Sequence, residues 1–325
     1  MKNWARAACV WLGAGLMAVP FAHAEGEDAA PARGKTVVEI RTDRIILVDI
    51  VRTGDRLVAV GERGFAMLSD DAGKTWRARE TPVTRTLTGV AFQDARVGVA
   101  VGHGGSLVRT EDGGENWTHV PLEEAGPDSL LGVVSLGGDH FIAYGAFGLY
   151  FDSTDAGKTW QRQMILSEDF DRHISQIVVA GESLLLVAES GILARSDDKG
   201  ATWTAIESPY VGSYFGAIAL QDGAILAFGM RGNVFRSADF GVTWQKLDLN
   251  TTASLNGGRQ LADGRVLLVG NAGLLALSRD GGQTLELHWA PAGRGFAALA
   301  EISGSVVLAG EAGISVLDPA WLETR

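Results

Sequence analysis

The stretch SDDAGKTWRARE, residues 69 to 80, sets "GKT" beside a run of carboxylates and invites two chemical readings, a phosphate loop and a metal or acid–base site. The phosphate loop fails on spacing. It needs a glycine five positions before the Gly-Lys pair, and that position holds Leu68. The decisive observation is that the stretch returns. STDAGKTW begins at Ser153, SDDKGATW at Ser196, SADFGVTW at Ser237 and TEDGGENW at Thr110, with a worn copy, SRDGGQTL, at Ser278. A motif met six times in one chain is architecture before it is chemistry.

The boxes start at 69, 110, 153, 196, 237 and 278, a period of 41 to 43 residues. Five residues ahead of each lies a Gly-x-x-Gly turn: Gly61 with Gly64, Gly102 with Gly105, Gly145 with Gly148, Gly229 with Gly232, Gly270 with Gly273 and, beyond the last box, Gly310 with Gly313. The fourth copy reads Ala188-Glu189-Ser190-Gly191, which makes seven turns for six boxes. Trp76, Trp117, Trp160, Trp203 and Trp244 close boxes, while Trp289 and Trp321 follow the worn box and the seventh turn. Within a repeat the hydrophobic period is two. LTGVAF, RVGVAVG, SLVRT and WTHVP read as four short strands between turn residues. Four antiparallel strands per repeat, seven times over, predict an all-β, seven-bladed β-propeller, whose ring closure limits exposed strand edges. The seventh repeat stops at WLETR, short of a fourth strand. KTVVEI, residues 35 to 40, is therefore expected to complete it and close the ring.

Physically, the box suits a tight hairpin between the third and fourth strands. Its Ser/Thr and Asp side chains cap backbone N–H groups, and its glycine takes the special backbone angle. Asp71, Asp112, Asp155, Asp198, Asp239 and Asp280 are thus read as structural. The closing tryptophan rings are expected to pack between blades, each worth roughly 2–3 kcal/mol on area grounds.

The N-terminus reads as a targeting segment. Lys2 and Arg6 precede the apolar run CVWLGAGLMAVPF, and Ala22-His23-Ala24 is a small-x-small cleavage site. Residues 1–24 are expected to be a signal peptide, 25–34 a flexible segment and 35–325 a single propeller domain, exported to the periplasm with no membrane insertion after cleavage. The sole cysteine, Cys9, falls in the leader, so the remainder rests on its core without disulfides. Without the leader, 26 basic residues face 39 acidic ones, a balance that argues against nucleic acid as a partner. Glycine is abundant at 43 residues and proline scarce at 8, as many tight hairpins require.

The pattern S-x-D-x-G-x-T-W resembles the Asp-box, or bacterial neuraminidase repeat. Seven repeats, six of them with the box downstream of the turn, resemble the photosystem II stability/assembly factor-like propellers over residues 35 to 321. The resemblance implies a non-enzymatic factor that binds a membrane protein during assembly. For exported bacterial members it implies an accessory of resistance-nodulation-division transporters. Closed propellers of this kind are expected to be monomers.

Topology places the approach to each inner strand and the G-x-x-G turn on one face, opposite the boxes. Counting seventeen residues back from each turn puts the approaches at 44, 85, 128, 171, 212, 253 and 293. Arg44, Arg85, Arg172, His173, Tyr214, Asn256 and Arg294 then surround the central opening, with Arg259 further along its strand and Arg63, Phe147 and Arg231 on turn tips. Such a mouth suits a carboxylate, a phosphate or an acidic peptide segment by bidentate pairing. Alternatively, each arginine pairs with a nearby acid such as Asp128, Asp171 or Glu311. A sialidase-like glycoside hydrolase is the competing function, suggested by the arginines and Tyr214. It would need a Tyr–Glu nucleophile pair and an acid/base Asp. The Phe-Arg-Ile-Pro signature of sialidases is missing, and their six blades do not match seven repeats. No cofactor motif is present, and His103, His119, His140, His173 and His288 lack metal-ligand spacing.

Overall fold

A computed structural model describes residues 44–323, which lie in one unit spanning residues 39–325. Alternating apolar residues build seven antiparallel sheets in chain order, six of four strands and the last of three. The innermost strands are Leu47–Thr53, Leu87–Phe92, Leu130–Gly137, Ile174–Ala180, Tyr214–Ala219, Leu255–Gln260 and Phe296–Ile302. The repeat reading is thus realised as a seven-bladed propeller. Its core is divided into seven apolar clusters, each built from two neighbouring blades. Ring closure is visible in one of them, where Leu47, Leu57 and Met67 of blade 1 pack against Ala300, Val307 and Ala309 of blade 7. The leader, the segment 25–34 and the closing strand at 35–40 lie outside the described residues.

The box is a closed hydrogen-bonded unit. The Ser69 hydroxyl donates to Asp71 Oδ1 at 2.9 Å and accepts the Gly73 N–H at 2.9 Å. Asp71 accepts the Thr75 N–H at 2.9 Å and the Thr75 hydroxyl at 2.5 Å. The same pattern recurs around Asp155, Asp198, Asp239 and Asp280, and around Asp112 with Asn116 in the threonine's place. Each of these carboxylates is thus engaged in holding its own hairpin. In the first three boxes the tryptophan Nε1 donates to the box glycine carbonyl at 3.0–3.1 Å. All five box tryptophans pack against an interblade cluster. In the worn box Leu285 takes that place, leaving Trp289 53% exposed. Trp321 lies on a short helix, Pro319–Glu323, instead of a strand. Asp318 accepts the Ala320 N–H and Pro319 leads the helix, an N-cap with proline that stops extended structure.

Each G-x-x-G turn is tied to the approach of its own inner strand. The turn N–H groups of Glu62, His103, Ala146, Glu189, Met230, Asn271 and Glu311 donate to the carbonyls of Ile46, Thr86, Ser129, His173, Ser213, Ser254 and Gly295 at 2.9–3.1 Å. The approach lies so close that a Cβ on Gly102 would sit 2.2 Å from the Thr86 carbonyl oxygen. Ala188 is tolerated in the fourth turn because its ψ of 179° differs from the −140° of Gly61. The ungapped count of seventeen residues needs correction. Every inner strand carries a bulge, and the partner of the approach carbonyl lies sixteen residues on in blades 1, 4 and 7 but seventeen in the others. Because the turn glycine is backed by backbone and not by a flexible side chain, Gly102→Ala is expected to cost about 1–3 kcal/mol, read from the urea midpoint at unchanged m-value.

Candidate functional site

The tip face carries most of the residues read from sequence. Arg44, Arg85, Arg231 and Arg294 are exposed and have no hydrogen-bond or ion-pair partner for their guanidinium among the described residues. Arg172 and Arg63 meet only their neighbours, Asp171 at 3.5 Å and Glu62 at 3.9 Å. Two of the turn-tip acids are committed to backbone. Glu189 accepts the His173 N–H at 2.9 Å and Glu311 the Gly295 N–H at 3.1 Å. Most arginines of the box face behave otherwise, the exposed Arg279 of the worn box being an exception among the described residues. Arg56 pairs with Asp70 and Glu115, Arg77 and Arg79 share Glu115, and Arg195, Arg236 and Arg265 pair with Asp197, Asp222 and Asp263.

Apolar side chains stand among these arginines. Phe147 is 55% exposed, with its ring edge-on to His173 at 4.8 Å and its N–H donating to His173 Nδ1 at 3.2 Å. Val211, 91% exposed, lies against the fourth turn beside Gly191, and Met230, 36% exposed, opens the fifth turn. These two were missed in sequence because an isolated apolar residue in a loop carries no periodic signal. Arg63, Phe147 and Arg231 occupy left-handed backbone at φ of 61°, 52° and 56°. Blade 2 places Gly104 at the equivalent position, the residue that such backbone favours. Holding large side chains there is the kind of local strain that gathers at functional surfaces.

Tyr214 is not part of this face. Because of the bulge it falls in the row of Leu47, Leu87, Leu130, Ile174 and Leu255, fully buried, with its hydroxyl 3.0 Å from Ser208 Oγ. Burial pushes the phenol up to about 12, so it is unsuited to the nucleophile role that the glycosidase reading requires. Asn256 sits one bulge further on, its amide donating to the Phe296 carbonyl and to Asn271 at 2.8 Å each.

Asn256 and Arg259 lead into the central channel, a cavity of about 440 Å³ lined by all seven inner strands. Asp49, unremarked in the sequence, is its acidic group. Its Oδ2 accepts the Val90 N–H of the next blade at 2.9 Å and its Oδ1 the Ile50 N–H at 2.8 Å. Burial pushes its carboxyl up to about 6 against the pull of those two amides. No group of three or more metal-ligating side chains occurs among the described residues.

The family model described as photosynthesis system II assembly factor YCF48 matches residues 68–257. Among solved structures, one described as YCF48 bound to D1 peptide aligns at 20% identity and a TM-score of 0.70, covering 84% of this chain and 93% of that one. YCF48 from Cyanidioschyzon merolae aligns at 16% identity and 0.70, covering 86% and 97%. The Cps50 (Swd1) propeller domain from Myceliophteria thermophila reaches 16% and 0.68, covering 85% and 96%. At these identities the likeness is one of fold. No curated protein matches the chain.

The carboxylates predict a two-sided pH profile. The Thr75, Thr202 and Thr243 hydroxyls, with the backbone N–H groups of the same residues, hold Asp71, Asp198 and Asp239 at about 2. Their contribution is present above the ordinary value of 3.8 and is lost as pH falls through about 2. Asp49 has the opposite sign, since its pKa is raised in the fold. Its contribution is complete below 3.8 and is lost as pH rises through about 6. The melting temperature is expected to peak at about pH 4–5 and fall on both sides. Differential scanning calorimetry of Asp49→Asn should flatten the upper limb and leave the acid limb in place.

Proposed function

We propose that this chain, which belongs to the photosynthesis system II assembly factor YCF48 family, is a non-enzymatic propeller that binds a membrane-protein partner and serves as an accessory or assembly factor for its complex. The observation that carries the reading is the pairing pattern of the arginines. Among the described residues, most arginines of the box face, Arg279 excepted, pair with acids of the fold, whereas the guanidiniums of Arg44, Arg85, Arg231 and Arg294 on the tip face, which also carries Phe147, Val211 and Met230, have no such partner. Arginines around apolar anchors make up the usual composition of a protein-binding hot spot, and a guanidinium fork suits a carboxylate-bearing segment of the partner. A structural neighbour described as bound to a peptide supports the same use of the fold.

The finer parts of the proposal are export to the periplasm and a transporter of the resistance-nodulation-division class as the partner. They rest on the leader-like residues 1–24 and on the resemblance set out above.

Co-purification from membranes after mild crosslinking tests the proposal. The native chain is compared with a variant carrying Arg44→Ala, Arg85→Ala, Arg231→Ala and Arg294→Ala. Since these side chains are exposed and have no partner among the described residues, the variant's stability should stay within about 0.5 kcal/mol of native per site. A membrane protein recovered with the native chain and reduced at least tenfold with the variant is the expected result. Equal recovery would remove the site from the tip face, and no membrane protein with either would overturn the function.

A further inference from the structure

The channel holds two charges that its architecture does not need. Register aligns Asp49 with Gly89, Gly132, Gln176, Gly216, Gly257 and Ala298, each paired with the residue just before its turn. Only Asp49 and Gln176 in that row carry a side chain long enough to cross to the next blade. Gln176 Oε1 accepts the Ala217 N–H at 2.9 Å, the same bridge that Asp49 makes to Val90. A neutral amide therefore serves the fold, and the carboxylate adds only a charge in a place where burial disfavours it. Two residues along, Arg259 aligns with Val51, Ala91, Val134, Val178, Ile218 and Ala300, all apolar. Its guanidinium has no partner among the described residues, and no ion pair joins it to Asp49.

A third group points the same way. Tyr144, 5% exposed, comes from the second strand of blade 3 but lines the channel through the gap that Gly132 leaves, where a Cβ would meet its hydroxyl oxygen at 2.4 Å. Its hydroxyl oxygen accepts from the Ile177 backbone of the next blade and lies within the field of Asp49, and its O–H donates to no group among the described residues. Two unmatched charges of opposite sign, on blades 1 and 6, thus face one cavity of about 440 Å³ with a buried hydroxyl beside the negative one. That volume falls within the range of small-molecule sites.

We infer that the central channel is a binding site for a small zwitterion of amino-acid or dipeptide size, its ammonium received by Asp49 and Tyr144 and its carboxylate by Arg259. An anion alone would meet Asp49, and a cation alone would meet Arg259. Only a molecule bearing both charges satisfies the two walls together, through bidentate pairing at the guanidinium and a charge-assisted bond at the carboxylate. The site is separate from the tip-face arginines, so occupancy and partner binding are independent readouts.

Isothermal titration calorimetry and thermal shift of the full chain at pH 7.5 test this, with the twenty common amino acids and a set of dipeptides as probes. Succinate serves as the carboxylate-only control and putrescine as the amine-only control. The expected result is submillimolar binding of at least one zwitterion, with the controls at least tenfold weaker. Asp49→Asn, which keeps an acceptor for the Val90 N–H, and Arg259→Gln should each weaken it tenfold or more while melting cooperatively. The four-arginine tip-face variant should bind the zwitterion as the native chain does. Absence of binding by every zwitterion, equal binding by succinate or putrescine, or native affinity in both channel variants would overturn the inference. Each of these outcomes leaves co-purification with a membrane partner unaffected.

Discussion

The bond from each G-x-x-G turn N–H to the carbonyl of its own inner-strand approach is the constraint on which the functional geometry rests. It recurs in all seven blades at 2.9–3.1 Å. It fixes the tip of the second hairpin against the mouth of the channel and so brings residues from two separate parts of each repeat onto one face. Glycine at the first turn position allows it, because the approach carbonyl occupies the space a side chain would need. Without this closeness, Arg85 and Arg231 would belong to unrelated loops.

The two faces of the ring divide the work. On the box face, carboxylates accept hydroxyl and amide donors within a few residues, and arginines bridge outward to acids, as where Arg56, Arg77 and Arg79 converge on Glu115 across blades 1 and 2. Those pairs and caps hold hairpins and blades together on that side. On the tip face, Glu189 and Glu311 cap backbone amides, and Arg44, Arg85, Arg231 and Arg294 have no ion-pair partner among the described residues. An isolated exposed guanidinium contributes little to stability. Several of them together, with Phe147, Val211 and Met230 between, make a surface whose pairing is left for another molecule.

Between the faces, the inner strands make a wall mostly of backbone and small residues. Gly89 lies against Gly132, and Gly257 against the Ala297 carbonyl, so neighbouring strands approach as closely as main chain permits. In such a wall every long polar side chain is conspicuous. Thr88 bonds to the Leu130 carbonyl, Asn256 to that of Phe296, and Gln176 to the Ala217 amide, each joining one blade to the next. Among the described residues Arg259 makes no such bridge, which sets it apart from those polar groups of the channel.

The sequence alone determined the blade number and the role of the boxes. Both depend on local chemistry at a fixed period: Ser69, Asp71, Gly73 and Thr75 bond within seven residues of one another, and the spacing of Trp76, Trp117 and Trp160 counts blades without any folding. It also placed Arg44, Arg85, Arg231 and Arg294 on one face, since strand alternation and hairpin order carry that information. Tertiary structure decided what register and partners control. The bulge near the start of each inner strand, invisible in a pattern of period two, moved Tyr214 from the mouth into the core and aligned Asp49 with a row mostly of glycines. Whether an arginine is paired depends on where an acid's own hydrogen bonds point, as Glu311 shows by turning to Gly295. That is settled by distances across the fold, which no spacing along the chain records.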